Sequence, residues 1–249
     1  MLFAALLALI TVFVPPPILM YHRVDVAVPG DRVGRQLTVT PAQFDRELLY
    51  LKRQGITAIS MVQLQQRIER GMPLDRVAVL TFDDGYADQY TYALPVLRKY
   101  KDTATFYIVT GDIGDRRHMS WRELRTLSAL HMDVAAHGVH HDDLSLMTPA
   151  QQAYQIDTSI ATLQNGLHEP VTSYAYPSGR FNRATLRIVG ASGVAFAVTT
   201  DARYVIPPEN RFEMTRLRVR GEWTAADFAA ALQSAMRMFR EPIRLPARF

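Results

Sequence analysis

Two carboxylates, Asp83 and Asp84, stand side by side in Thr81-Phe82-Asp83-Asp84-Gly85, directly after the apolar run Val77-Ala78-Val79-Leu80. Adjacent acids emerging from a buried strand are costly unless something cationic receives them. A metal ion would do so. Neighbours on a strand end point in different directions, so one can bind the metal while the other takes a proton. A plain acidic turn closed by Gly85 would read the same way, because Asp-Gly commonly marks turns. A second group, His137-Gly138-Val139-His140-His141, also follows an apolar stretch and holds three of the chain's seven histidines. His137 and His141 are spaced to turn back onto one cation as neutral imidazoles, with His140 facing away. A third and weaker feature is Ser173-Tyr174-Ala175-Tyr176-Pro177-Ser178-Gly179, a strand entering a Pro-Gly turn that can offer backbone N–H groups to a substrate oxygen. The chain has no cysteine. Thiolate metal sites, cysteine nucleophiles and disulfides are therefore excluded, and any metal is held by His, Asp or Glu.

These residues need strands that end together. Eight β-like runs alternate with amphipathic helical stretches: Ile18–His22, Ile56–Ile59, Val77–Phe82, Thr103–Val109, Met132–His137, Thr172–Tyr176, Val194–Val198 and Met214–Val219. The alternation predicts an α/β fold, a distorted single-domain (β/α) barrel over residues 18–249, with the site at its C-terminal face. Thr40-Pro41-Ala42-Gln43 reads as a capping box opening a helix that Gly55 closes, and Thr148-Pro149-Ala150-Gln151 repeats the device before a helix running towards Gly166. Thr224 opens a last helix whose apolar stripe is Phe228, Ala229, Leu232, Met236 and Phe239, a core-packing pattern. Asp25–Gln36 and Asp201–Arg211 read as loops, too polar and glycine-rich for helix.

With these motifs the chain resembles the polysaccharide deacetylases of carbohydrate esterase family 4 over nearly everything after residue 17. The family carries Thr-Phe-Asp-Asp-Gly, whose first Asp is the base and whose second binds metal. It also carries His-(Ser/Thr)-x-x-His, which supplies two metal histidines. The resemblance implies a distorted (β/α) barrel, Asp83 as base, and Asp84, His137 and His141 on a divalent ion: Zn2+, with Co2+ or Ni2+ as alternatives. Gly138 stands where the family has a hydroxyl residue, so that side-chain hydrogen bond is missing.

Ile18-Leu19-Met20-Tyr21-His22-Arg23-Val24, followed by Thr40-Pro41-Ala42-Gln43-Phe44-Asp45, resembles the poly-N-acetylglucosamine deacetylase branch. There an early histidine replaces a Leu-x-His near the chain end, which implies His22 as general acid. Many relatives orient the base with an arginine before a Pro-Tyr-Gly turn. Ala175 occupies that place here, as in the same branch, and Arg216 in Met214-Thr215-Arg216-Leu217 is either the substitute or a surface arginine. Ser178 replaces the family's tyrosine and keeps the backbone N–H that would stabilise an oxyanion. The family's tryptophan motif has no match, since Trp121 and Trp223 lie elsewhere.

Residues 1–14 are apolar except Thr11, and three prolines follow. The run is short for a membrane span and fits the apolar core of a signal peptide or a short anchor over residues 1–17, which implies export and membrane association if it is retained. A buried N-terminal helix or strand is the alternative. Among 249 residues, 28 Lys and Arg face 24 Asp and Glu, a net charge of +4 with no polybasic run. Nucleic acid is therefore not an expected partner. The expected partner is an N-acetylated polysaccharide, poly-N-acetylglucosamine first, with peptidoglycan, chitin or a weakened glycan-binding barrel as alternatives. The sequence says nothing about oligomeric state.

Overall fold

The computed structural model describes residues 16–200 and 211–238, together with the two-residue strands Val12–Phe13 and Ile243–Arg244, which pair antiparallel. Most of the expected leader, most of the Asp201–Arg211 loop, and Phe239 lie outside the described residues. Among those described, no helix is long and apolar enough to cross a membrane.

All eight expected strands form. They are β1 (Ile18–Tyr21), β2 (Thr57–Ile59), β3 (Val77–Phe82), β4 (Thr105–Ile108), β5 (Asp133–Ala136), β6 (Ser173–Ala175), β7 (Phe196–Val198) and β8 (Leu217–Arg218). Every pairing among them is parallel, in the order β7-β6-β5-β4-β3-β1-β8. A single parallel bridge, Val198 to Met214, joins the two ends. The distortion has a visible cause at β3. One of its edges pairs with β1, while the other is shared: β2 takes Val77–Val79 and β4 takes Thr81–Phe82. The strand β2 is thus wedged into the lower half of the barrel. β3 is buried along its whole length, as a parallel strand covered on both faces must be.

Helices cover the outside: α1 (Arg32–Leu37), α2 (Pro41–Arg53), α3 (Met61–Glu69), α4 (Leu94–Tyr100), α5 (Trp121–Ala129), α6 (Pro149–Leu167), α7 (Arg183–Ala191) and α8 (Ala225–Met238). Helix α1 corrects the expectation that Asp25–Gln36 is loop throughout. Asp31 caps it by accepting from the Gly34 N–H at 2.8 Å, and Gly34 fits because a Cβ there would meet Pro29 Cβ at 2.4 Å. The box at Thr40 forms only by half. Its hydroxyl takes the Gln43 N–H at 3.1 Å, but the Gln43 amide turns to Glu47 and the Arg220 carbonyl instead. The box at Thr148 closes from both sides. In the last helix Phe228 and Leu232 are buried as expected.

Side chains of alternate parity on β3 divide the barrel from its coat. Phe82 faces α2, stacking on Tyr21 at 5.3 Å and Phe106 at 5.0 Å and meeting Phe44 edge-on at 5.5 Å. Thr81 and Asp83 share the opposite parity, and both meet one arginine inside the barrel.

Candidate active site

Asp83 continues β3 by one residue, its N–H donating to the Tyr21 carbonyl at 3.0 Å. Its carboxylate is buried and held in a bidentate pair by Arg216, Nη1 to Oδ1 at 2.6 Å and Nη2 to Oδ2 at 2.7 Å. Arg216 is 0% exposed, which overturns the surface-arginine alternative. It also donates to the Thr81 hydroxyl and the Thr199 carbonyl, and its guanidinium lies 5.7 Å from the centroid of the Tyr107 ring. Burial pushes the Asp83 carboxyl up, but the Arg216 guanidinium, together with His137, more than offsets it and leaves the group below the ordinary carboxylate range. The carboxylate is thus fixed in orientation and ionised.

At Asp84 the chain turns through a left-handed conformation, φ 74°, followed by Gly85 at 75°. Aspartate tolerates that region better than most residues, and such strain concentrates at functional sites. The turn sends Asp84 towards the histidines. Its Oδ1 lies 3.4 Å from His137 Nε2 and 3.6 Å from His141 Nε2. The three donor atoms all fall within 4.8 Å of one another.

Whether this triad fits a metal can be judged from its atoms. The His137 Nδ1–H donates to the Ala175 carbonyl at 2.8 Å, which leaves a lone pair on Nε2 in the neutral ring. Asp84 Oδ1 is buried without a hydrogen bond among the described residues. Lone pairs therefore converge on one point, an arrangement that is costly unless a cation sits there. Two ligands bonded at 2.0–2.1 Å in tetrahedral geometry stand roughly 3.3 Å apart, close to the two separations observed. The residues fit a divalent ion. Burial opposes ionisation of Asp84, yet the neighbouring histidines hold its pKa far below normal. His137 is raised in turn, its desolvation being outweighed by Asp84 and Asp83.

The ligand loop has a clamp that sequence reading missed. Gln155, buried on α6, accepts from the Val139 N–H at 2.9 Å and the His140 N–H at 2.8 Å through one oxygen. Its Nε2 donates to Asp142 at 3.3 Å. Gly138 has φ 83°, and a Cβ there would lie 3.0 Å from the His140 carbonyl and 3.4 Å from Tyr174 Oη. Tyr174 Oη, beside Gly138, is buried with no partner among the described residues. His140 is exposed and stays out of the triad.

The remaining two residues come from further along the barrel rim. His22 follows β1 and is half-buried, with Nδ1 lacking a hydrogen bond among the described residues. Burial lowers its pKa, and Asp83 and Asp84 only partly oppose this. Ser178 sits in the turn Pro177–Gly179 with φ 54° and ψ 12°. Its carbonyl accepts from the Thr200 hydroxyl at 3.1 Å. The barrel thus gathers Asp83, Asp84, His137, His141 and Arg216 at one mouth, with His22 and Ser178 at the ends of strands opening onto it.

Comparison with known proteins agrees with this geometry. The polysaccharide deacetylase family profile matches residues 70–197, just over half of the chain. YxkH of Bacillus subtilis is 27% identical over 219 residues, covering 88% of this chain and 76% of the relative. The poly-beta-1,6-N-acetyl-D-glucosamine N-deacetylase of Staphylococcus aureus is 22% identical over 224 residues, 81% of this chain and 77% of the relative. Among solved structures, the Streptococcus pyogenes deacetylase PplD in complex with acetate superposes with a TM-score of 0.80 at 28% identity, over 87% of this chain and 97% of that one. A matched profile that spans both the Asp pair and the histidines His137 and His141, on a barrel that brings them together, means that this chain belongs to the polysaccharide deacetylase family.

Proposed function

We propose that this protein is a metal-dependent N-deacetylase of N-acetylglucosamine-containing polysaccharide, poly-N-acetylglucosamine first, releasing acetate outside the cytoplasm. The observation that carries the reading is the convergence of Asp84, His137 and His141 beside a second carboxylate, Asp83, that a buried arginine keeps ionised. The choice of polymer is supported by the activity named for the Staphylococcus aureus relative, and export by the apolar run at residues 1–14.

Two imidazoles and a carboxylate suit Zn2+, and also Co2+ or Ni2+. When bound, a divalent ion supplies Lewis-acid polarisation of an acyl oxygen and makes water more acidic. The chain's own residues do the rest. Asp83 removes a proton from the attacking water. Each of its oxygens keeps a lone pair beyond the bond to Arg216, and the guanidinium holds the carboxylate in place. The backbone N–H of Ser178 donates to the oxyanion that forms at the acetyl carbon. His22 gives its proton to the departing amine, a step amide cleavage needs because an amide anion is a very poor leaving group.

Acetate release from poly-β-1,6-N-acetylglucosamine, chitin oligomers and peptidoglycan, each with and without chelator, tests the reading. Chelator-sensitive release, fastest on poly-N-acetylglucosamine, is expected. Faster release from either other polymer would reassign the substrate, and no release from any metal-loaded sample would refute a deacetylase.

A further inference from the structure

Gln89 belongs to none of the motifs that carry the site, yet it touches the main chain of both the proposed acid, His22, and the proposed base, Asp83. Its side chain is fully buried at the start of the π-helical turn Gln89–Ala93, five residues after Asp84. Single π-turns occur frequently at functional sites. The Gln89 amide nitrogen donates to two main-chain carbonyls at once, that of His22 at 2.7 Å and that of Asp83 at 2.5 Å. Two carbonyl oxygens can be satisfied together only by an NH2 group, so the partners fix which way the amide faces. Its Oε1 end is buried and finds no donor among the described residues.

The location explains the need. The parallel ladder between β1 and β3 ends with the Asp83 N–H on the Tyr21 carbonyl. One residue further, the His22 and Asp83 carbonyls both turn towards Gln89. Two carbonyl dipoles held this way repel unless a donor lies between them. Asp88 extends the grip, accepting from the Val24 N–H at 3.0 Å and from Arg23 Nε at 2.8 Å. Asp88 and Gln89, just after the Asp pair, thus hold residues 22–24 in register with Asp83.

We propose that Gln89 is a positioning residue that sets the His22 imidazole relative to the Asp83 carboxylate. The inference rests on the reading of His22 as acid and Asp83 as base. Removing the shared donor lets the two strand ends separate, and a misplacement of about 1 Å can cost on the order of 100-fold in rate. The loss should fall on the step that needs His22.

The test compares an amide with an ester that needs no proton on its leaving group. Zinc-loaded wild type, Gln89→Met, Gln89→Asn and His22→Ala are assayed on N-acetylglucosamine oligomers and on 4-nitrophenyl acetate, whose phenolate departs unprotonated. Metal content and circular dichroism are recorded on the same samples. Gln89→Met is expected to keep its metal and its fold while its ratio of amide to ester turnover falls roughly 10- to 100-fold. The loss should appear in kcat rather than KM. Gln89→Asn, which keeps the amide but is one methylene short, should fall between Met and wild type, and it carries the same comparison if the Met variant does not fold. An unchanged ratio, or equal loss on both substrates, overturns the positioning role. A His22→Ala ratio equal to wild type instead overturns the acid assignment on which the inference stands, so the two failures are distinguishable.

Discussion

At the end of β5, Gln155 accepts two backbone N–H groups through one oxygen; at the end of β1, Gln89 donates to two backbone carbonyls through one nitrogen. The two loops they hold differ in what else supports them. Around His137 and His141 the supports are neutral hydrogen bonds: the Ala175 carbonyl on His137 Nδ1, and the Thr110 and Gly111 N–H groups on the Gly138 and Val139 carbonyls. Around Asp83 the main support is a buried ion pair with Arg216. A ligand set that receives a cation needs lone pairs aimed at one point, and neutral clamps give that without adding charge. A base that must remain ionised inside a barrel needs a fixed positive partner. The family profile spans His137, His141 and the Asp pair alike, whereas His22 and Arg216 lie outside residues 70–197 and reach Asp83 because β8 pairs with β1.

Four variants would break or sharpen this contrast. Arg216→Met should have the largest effect on the fold, since it strands a buried carboxylate: about 3–5 kcal/mol of unfolding free energy lost in urea titration. Arg216→Lys should not restore it, because an ammonium cannot reproduce the bidentate geometry. A double variant, Asp83→Leu with Arg216→Met, should recover most of the loss. Gln155→Met should act on the other side, weakening metal affinity by roughly 10- to 100-fold in competition with a chelator while costing little stability. Loss of stability with unchanged metal affinity would erase the distinction between the two loops.

A further effect, away from both loops, concerns pH. Glu47 lies behind β1, accepting from Tyr21 Oη at 2.9 Å and Gln43 Nε2 at 2.9 Å, and burial raises its pKa from 4.5 to about 7. The folded value lies above the unfolded one, so this contribution is complete below pH 4.5 and is lost as pH rises through about 7. The loss should be on the order of 2–3 kcal/mol. Unfolding measured from pH 4.5 to 8 should show the decline, and Glu47→Gln should flatten it.

The sequence made most of this architecture legible because its signals were apolar runs with sharp ends. Val77–Phe82 forms over its whole expected length, bounded by the Asp pair, while shorter strands such as Leu217–Arg218 keep only part of the run. Asp83, Asp84, His137 and His141 were equally visible as a candidate set, at or soon after the ends of β3 and β5. What escaped was polar and buried. Helix α6 carries Gln152, Gln155, Ile156, Ser159, Ile160 and Leu163 on its buried side, a helical stripe that mixes amides with aliphatics. Polar residues at those positions could have flagged a clamp, but only packing shows that Gln155 faces the histidine loop while Gln152 turns to Met147 and Thr185. Gln89 gives less warning, because a π-turn has no periodicity to read. Helix α1 was hidden by Gly34, whose fit against Pro29 is a tertiary matter.

The central claim is that Asp84, His137 and His141 hold one divalent ion while Asp83 works beside it as base. It is tested most directly by measuring metal content and acetate release on the same preparations of wild type, Asp83→Asn and His141→Ala. The account predicts one metal per chain and chelator-sensitive release in wild type. It predicts full metal with release lowered by about 10²–10⁴ in Asp83→Asn, and depleted metal in His141→Ala. Near-wild-type release from Asp83→Asn, or undiminished metal in His141→Ala, would contradict it.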